Sequence, residues 1–449
     1  MRMHAILTMT FFQMGFWLTW AIIPLLIEIL PALYSAVRLI IKSRHRIPPL
    51  VPENFPFITI IIPIYNSADT LYRCIESVAE STYPTSQIQI LLADNQSSDD
   101  SYAVAQKAAH YFDDLNMQYF QTEQGKAKAL NAAIFAALGT YVINIDSDGI
   151  LEKHALVNTI LEFERKPKVA AMTGTILPQK RDIEDTRNPF KRLLRDNEYV
   201  EYAQAFLAGR QIENDQNHLF TLSGAFSAFR RSALLQTQLY DVATVGEDTE
   251  LTFQIRNQFK HGLDFCATAI FYVEPISGWA ELYTQRQRWQ RGELEVMHHF
   301  AGAHAQLRNF FRNFLVRRLM LDHTFMFPKM IWLFASFVLL FFGYSGETLA
   351  TSYLVIYWLY VFITAVNFIS VMLTLRSFLD EERFFLSRWW VIFTLPLYNF
   401  ICSWIRLIGI INAATKASEW NTTKASDESH QFRQVIKGDW RKLKEKRGE

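Results

Sequence analysis

The chain has 449 residues, half of them hydrophobic and 14% aromatic, with a formal net charge of only +1. That balance offers no basic field for nucleic acid, and the apolar share exceeds what a soluble domain of this size carries. Cys74, Cys266 and Cys402 are far apart and form no Cys-x-x-Cys or Cys/His spacing, which excludes a disulfide framework and a zinc site and fits a reducing compartment.

Residues 5–41 are almost free of charge and end at the basic run Lys42-Ser43-Arg44-His45-Arg46. An N-terminal transmembrane region over 1–42 is expected, with the basic run on the cytoplasmic side. Pro24 and Pro31 divide it either into a short interfacial helix plus one span or into a hairpin. From 55 to 302 short β-branched runs alternate with helical stretches, which predicts an α/β domain. Strands are expected at 57–62, 88–92, 117–121 and 141–145, with helices at 68–79, 127–138 and 249–259. In an open parallel sheet ligands bind beyond the carboxyl ends of the strands. The polar clusters at 63–69, 94–99 and 146–148 fall there.

Residues 303–322 interleave Phe310, Phe311 and Phe314 with Arg308, Arg312 and Arg317, as an interfacial amphipathic helix would. A C-terminal transmembrane region covers 323–414, with spans at 323–343 and 352–374. Arg376, Arg383 and Arg388 bring the chain back to the cytoplasmic face. The stretch 389–414 is apolar but carries Pro396 and Arg406 ahead of the basic tail 415–449, so a re-entrant or interfacial segment is expected there.

Three motifs carry chemistry. Asp146-Ser147-Asp148, at the end of an apolar strand, can hold a divalent cation against a diphosphate, although Asp and Ser also make plain turns. Asp94 ends the second strand, where a carboxylate can accept from a nucleobase, and Lys126 at a helix start can neutralise phosphate. Gly246-Glu247-Asp248 opens a helix, where acids also serve as caps; near an acceptor hydroxyl Asp248 is a candidate base, with Glu247 beside it. Gln285, Arg288 and Trp289 share one helix face, pairing a diphosphate-binding guanidinium with a flat indole for a sugar. No Gly-x-Gly-x-x-Gly or Walker loop is present, so metal and side chains must hold phosphates. His298, His299 and His304 read as a solvated helix face.

With Ile62-Pro63-Ile64-Tyr65-Asn66, Gly125-Lys126-Ala127-Lys128-Ala129-Leu130-Asn131 and Ser223-Gly224-Ala225-Phe226, these motifs form an ordered set. The set resembles the membrane-integrated family 2 glycosyltransferases, which include cellulose, hyaluronan, chitin and poly-N-acetylglucosamine synthases. The resemblance implies a GT-A type nucleotide-sugar-binding domain between N- and C-terminal transmembrane segments, in a multi-pass cell-membrane protein with a cytoplasmic catalytic domain. It implies Mg2+ or Mn2+ at Asp146 and Asp148, a nucleotide sugar, usually UDP-linked, contacted by Asp94, Lys126, Asp146 and Arg288, catalysis by Asp248 and Glu247, and acceptor contacts by Gln285 and Trp289. The implied reaction is inverting transfer to a growing surface polysaccharide at the inner leaflet, with export or accessory membrane subunits as partners. Single transfer to a polyprenyl phosphate or other lipid, and a non-catalytic scaffold, are the alternatives. Asn95 stands where many members have a second Asp, and Lys128 replaces a common Gly, bringing extra positive charge near the donor. Both leave the donor sugar open.

Overall fold

The computed structural model describes residues 28–41, 54–301, scattered positions of 334–343, and 345–415 apart from 377. The expected interfacial helix at 303–322, residues 1–27, most of the span at 323–343 and the tail beyond 415 lie outside the described residues.

One eight-stranded sheet organises residues 54–301, in the order β3-β2-β1-β4-β7-β6-β8-β5. Its strands are β1 Ile58–Ile64, β2 Ile88–Asp94, β3 Asn116–Gln121, β4 Tyr141–Ile145, β5 Ile150–Leu151, β6 Ala171–Pro178, β7 Phe226–Arg230 and β8 Leu263–Val273. β1 to β4 are mutually parallel, as expected. The other half is not: β7 runs antiparallel to β4 and to β6, while β8 is parallel to β6 and antiparallel to β5. Strand β1 also continues through Pro63 to Ile64, past the last β4 pair at Ile61.

Every residue of β1 is buried. Ile58, Ile60, Ile62 and Ile64 enter one core and Ile61 another, so helices cover both faces and the strand reads as one apolar run. The helices are α1 (28–41), α2 Leu71–Ala79, α3 Ser101–Tyr111, α4 Lys126–Ala136, α5 Ala155–Arg165, α6 Lys180–Glu184 and α7 Pro189–Ala203. A π-helical turn, Gln204–Gly209, joins α7 to α8 Arg210–Asp215; α9 Arg231–Leu234, α10 Glu247–Gln258 and α11 Trp279–Ala301 complete the domain.

Three further helices are described: α12 Gly346–Leu375, α13 Leu379–Leu386 and α14 Val391–Thr415. Leu349–Leu375 and Val391–Asn412 are long and apolar enough to cross a membrane. Within 389–414, α14 continues through Pro396 as one helix. It also stays in contact with the catalytic domain, through Thr394 to Asn197, Tyr398 to Glu201, Arg406 to Gln290 and Asn412 to Gln287. The linker before it is anchored too. Buried Glu381 accepts from the hydroxyls of Tyr199 (2.7 Å) and Tyr272 (2.6 Å) and pairs with Lys180, while Arg388 forms a buried ion pair with Asp196 at 3.0 Å. Leu39 of α1 joins the same core as these elements, and Ala32 meets Ile363 of α12.

Candidate active site

Register assembles the first part of the site. Ile64 lies opposite Asp94 and Ile61 opposite Asn144, so the ends of β1, β2 and β4 share one edge. There Ser67 Oγ meets Ser147 Oγ at 2.7 Å, joining the loop after β1 to the Asp146-Ser147-Asp148 turn. Gly149 closes that turn against β8, where any Cβ would collide with the Phe271 ring.

Asp94 sits at the end of β2, buried, and its Oδ1 accepts the Ser97 N–H at 3.0 Å, so the carboxylate also holds its own loop. Asn95 Oδ1 accepts the Gly125 N–H. Gly125 has φ +131°, a conformation that strains any side chain, and it directly precedes α4. The amide at position 95 thereby fixes the start of the helix that carries Lys126. Lys128 does not add charge to the cleft as expected: its Nζ pairs with Glu123 at 2.8 Å on an exposed surface.

Lys126 Nζ lies 2.6 Å from Asp146 Oδ1. Burial alone would lower the pKa of this ammonium, but Asp146 and then Glu247 outweigh it and hold it above its ordinary value, against the opposing charge of Arg288. Asp248, in the first turn of α10, accepts from the Gly224 N–H at 3.0 Å through Oδ2 and from the Thr249 N–H at 2.6 Å through Oδ1. A Cβ on Gly224 would stand 3.3 Å from Asp248 Oδ2 and 3.7 Å from Lys126 Nζ, so glycine leaves this side of the cleft open and both groups converge on it. Burial, opposed by Lys126 and reinforced by Asp248, pushes the Glu247 carboxyl up to about 7. Desolvation and then the Asp146 charge push Asp148 up to about 6; its carboxyl reaches the open cleft, so water tempers that effect.

Lys126 thus pairs with Asp146 and shares the open face of Gly224 with Asp248, while Glu247, Asp148 and Arg288 lie close enough to feel its charge. Among the described residues no three His, Cys, Asp or Glu side chains converge as a ready-made cage. Two carboxylates one residue apart, at the end of β4, nevertheless fit a hard divalent cation that takes its other oxygens from phosphate and water.

On α11, Arg288 and Trp289 are exposed and Gln285 is half-buried, while Arg286, Gln287 and Gln290 turn inward. Tyr202 and Phe206 wall the Trp289 ring at centroid distances of 6.2 and 5.9 Å, and Gln285 Nε2 donates to Tyr202 Oη at 3.3 Å. Sequence reasoning did not single out Glu201, Tyr202 or Phe206. The signal available was the run Asn197-Glu198-Tyr199-Val200-Glu201-Tyr202, too acidic for an ordinary core helix yet largely buried. His298 and His299 are exposed on α11, as expected of a solvated face; His304 lies outside the described residues.

A mixed sheet whose parallel half ends in paired aspartates, with a further acid brought across from the mixed half, defines a GT-A-like fold. Residues 59–237 match the model for glycosyl transferase family 2. The chain is 26% identical over 263 residues to a poly-beta-1,6-N-acetyl-D-glucosamine synthase of Staphylococcus epidermidis, covering 58% of each chain. It is also 26% identical over 307 residues to a synthase of the same name from Staphylococcus aureus, covering 67% of this chain and 68% of that one. The match thus spans little more than half the length of the first of these relatives. A solved mannosyltransferase of Pyrobaculum calidifontis, in complex with GDP-Man and Mn2+, superimposes with a TM-score of 0.55 over 80% of this chain and 99% of that one, at 18% identity. That likeness is one of fold.

Proposed function

We propose that this protein transfers N-acetylglucosamine from its UDP-linked donor to the end of a growing polysaccharide at the cytoplasmic face of a membrane, with inversion at the anomeric carbon. The convergence of Asp248 and Lys126 on the open face of Gly224 carries the reading, because the transfer requires a base and a phosphate-neutralising cation in one cleft. The relatives named as poly-N-acetylglucosamine synthases support the sugar and the polymer.

In this reading the acceptor hydroxyl lies on Trp289 and gives its proton to Asp248 as its oxygen bonds to the anomeric carbon. The bond from that carbon to the diphosphate breaks, and its electron pair leaves on the phosphate oxygen. Lys126 and Arg288 face the charge that develops there. Hydrogen bonds from Gly224 and Thr249 aim the Asp248 carboxylate. Asp146 and Asp148 would hold Mg2+ or Mn2+, which supplies charge neutralisation for the departing diphosphate. The test is incubation of the full-length protein in native membranes with radiolabelled UDP-N-acetylglucosamine and Mn2+. UDP release with labelled polymer, lost in EDTA and restored by Mn2+ or Mg2+, is expected. A labelled lipid carrying a single sugar would replace the polymer reading, and no turnover of any UDP-, GDP- or dTDP-sugar would end the proposal.

A further inference from the structure

Behind Trp289 lies a side chain that the transfer step does not use. Arg286 is one turn earlier on α11 and turned inward, 7% exposed. Its guanidinium carbon stands 4.4 Å from the centroid of the Trp289 ring and 5.9 Å from that of Tyr202. Its Nη2 bonds to Glu201 Oε2 at 2.5 Å and to Tyr398 Oη at 3.4 Å, and the Tyr398 hydroxyl donates to the same Glu201 oxygen at 3.0 Å. Its buried Nε has no hydrogen-bond partner. An arginine placed only to form an ion pair would turn its fork to use that donor; here the guanidinium stands over two aromatic rings instead.

We propose that Arg286 is a positioning residue for Trp289: the bridge Tyr398–Glu201–Arg286 fixes the guanidinium, and the guanidinium fixes the tilt of the indole on which the acceptor sugar lies. The inference rests on the acceptor role of Trp289. Its physical content is that the indole has no hydrogen bond among those observed, and Arg286, Tyr202 and Phe206 are the groups that pack against it. Tyr398 belongs to α14, an apolar helix outside the catalytic sheet. The acceptor platform is therefore tied by one hydroxyl to the membrane-facing part of the chain, and displacement of α14 along α7 would be felt at the indole.

Steady-state kinetics of the full-length protein in membranes test this, with UDP-N-acetylglucosamine as donor and a β-1,6-linked N-acetylglucosamine oligomer as acceptor. Arg286→Lys keeps the charge beside Glu201 but removes the flat face. The acceptor KM is expected to rise roughly tenfold, the donor KM to change by less than about twofold, and the polymer to shorten. Tyr398→Phe keeps the buried ring and removes only the hydroxyl; a smaller rise in acceptor KM, about threefold, is expected. Should Arg286→Lys fail to fold, Tyr398→Phe carries the test alone. An unchanged acceptor KM in both variants, or equal rises in acceptor and donor KM, overturns the proposal. Trp289→Ala separates the two levels: if it raises the acceptor KM while Arg286→Lys does not, only the positioning role falls, and if it leaves the acceptor KM unchanged, the acceptor reading falls and the positioning role with it.

Discussion

Gly246 and Gly292 touch backbone to backbone. A Cβ on Gly246 would sit 2.9 Å from the Gly292 carbonyl oxygen, and one on Gly292 would sit 3.0 Å from Gly246 Cα. The first residue opens the Gly246-Glu247-Asp248 motif and the second follows Trp289 on α11, so this contact sets the spacing between candidate base and candidate acceptor platform. Gly292→Ala must push α10 and α11 apart by a few tenths of an ångström or more. A fall in kcat of about ten- to a hundredfold is expected, with nucleotide affinity nearly unchanged. Gly278→Ala is the control, since its added methyl meets nothing within 4 Å. Equal activities of the two variants would refute the spacing role.

Asp248→Asn keeps one oxygen for the Gly224 or the Thr249 N–H, gives up the acceptor of the other, and removes the proton acceptor. Transfer should fall by roughly a hundred- to ten-thousandfold. UDP binding, followed by calorimetry, should stay close to wild type. Loss of both together would assign Asp248 to donor binding or folding instead.

Glu198 is buried on α7, its Oε2 accepting the Ile276 N–H at 2.9 Å and its Oε1 without a partner. Desolvation pushes its carboxyl from an ordinary 4.5 up to about 8. Between those values the folded protein keeps a proton that the unfolded chain releases, so this group's contribution is most favourable below the lower value and is lost as pH rises through the upper one. The loss amounts to about 5 kcal/mol at most. Glu198→Gln keeps the acceptor for Ile276 and does not titrate, so its Tm should decline less than that of wild type between about pH 6 and pH 8. Parallel Tm curves would refute the assignment.

The polar bonds from α14 to α7 and α11 run from Thr394 to Asn412, roughly 27 Å of helix at 1.5 Å per residue. That is nearly the thickness of a hydrocarbon core, about 30 Å. Were α14 to cross, Asn197, Glu201, Arg286, Gln287 and Gln290 would be carried to membrane depth with it. The expected outcome is that α14 lies in the interface and the basic tail stays on the catalytic side. A protease-cleavable tag after Glu449 should be cut in inverted vesicles and protected in intact spheroplasts. The opposite pattern would make α14 a true span.

The paired aspartates after β4, the acid at the start of α10 and the Arg288-Trp289 face were legible as local patterns, as was the parallel half of the sheet, whose strands are apolar runs closed by polar loops. Each of these signals sits within a few residues of itself. Strands β6, β7 and β8 were not legible as a set, because a strand buried on both faces loses alternation, and β6 against β8 is interrupted by a register shift after Gly174. Their order in the sheet brings Gly224 beneath Asp248 and turns the parallel half into a cleft. Tertiary structure alone decided that Lys128 faces Glu123, that Arg286 stands behind the indole, and that α14 runs along the catalytic domain. The reason is physical: residue type and period report what one segment can bury, whereas which side chain meets which, near or far in sequence, is set by how the buried faces fit together.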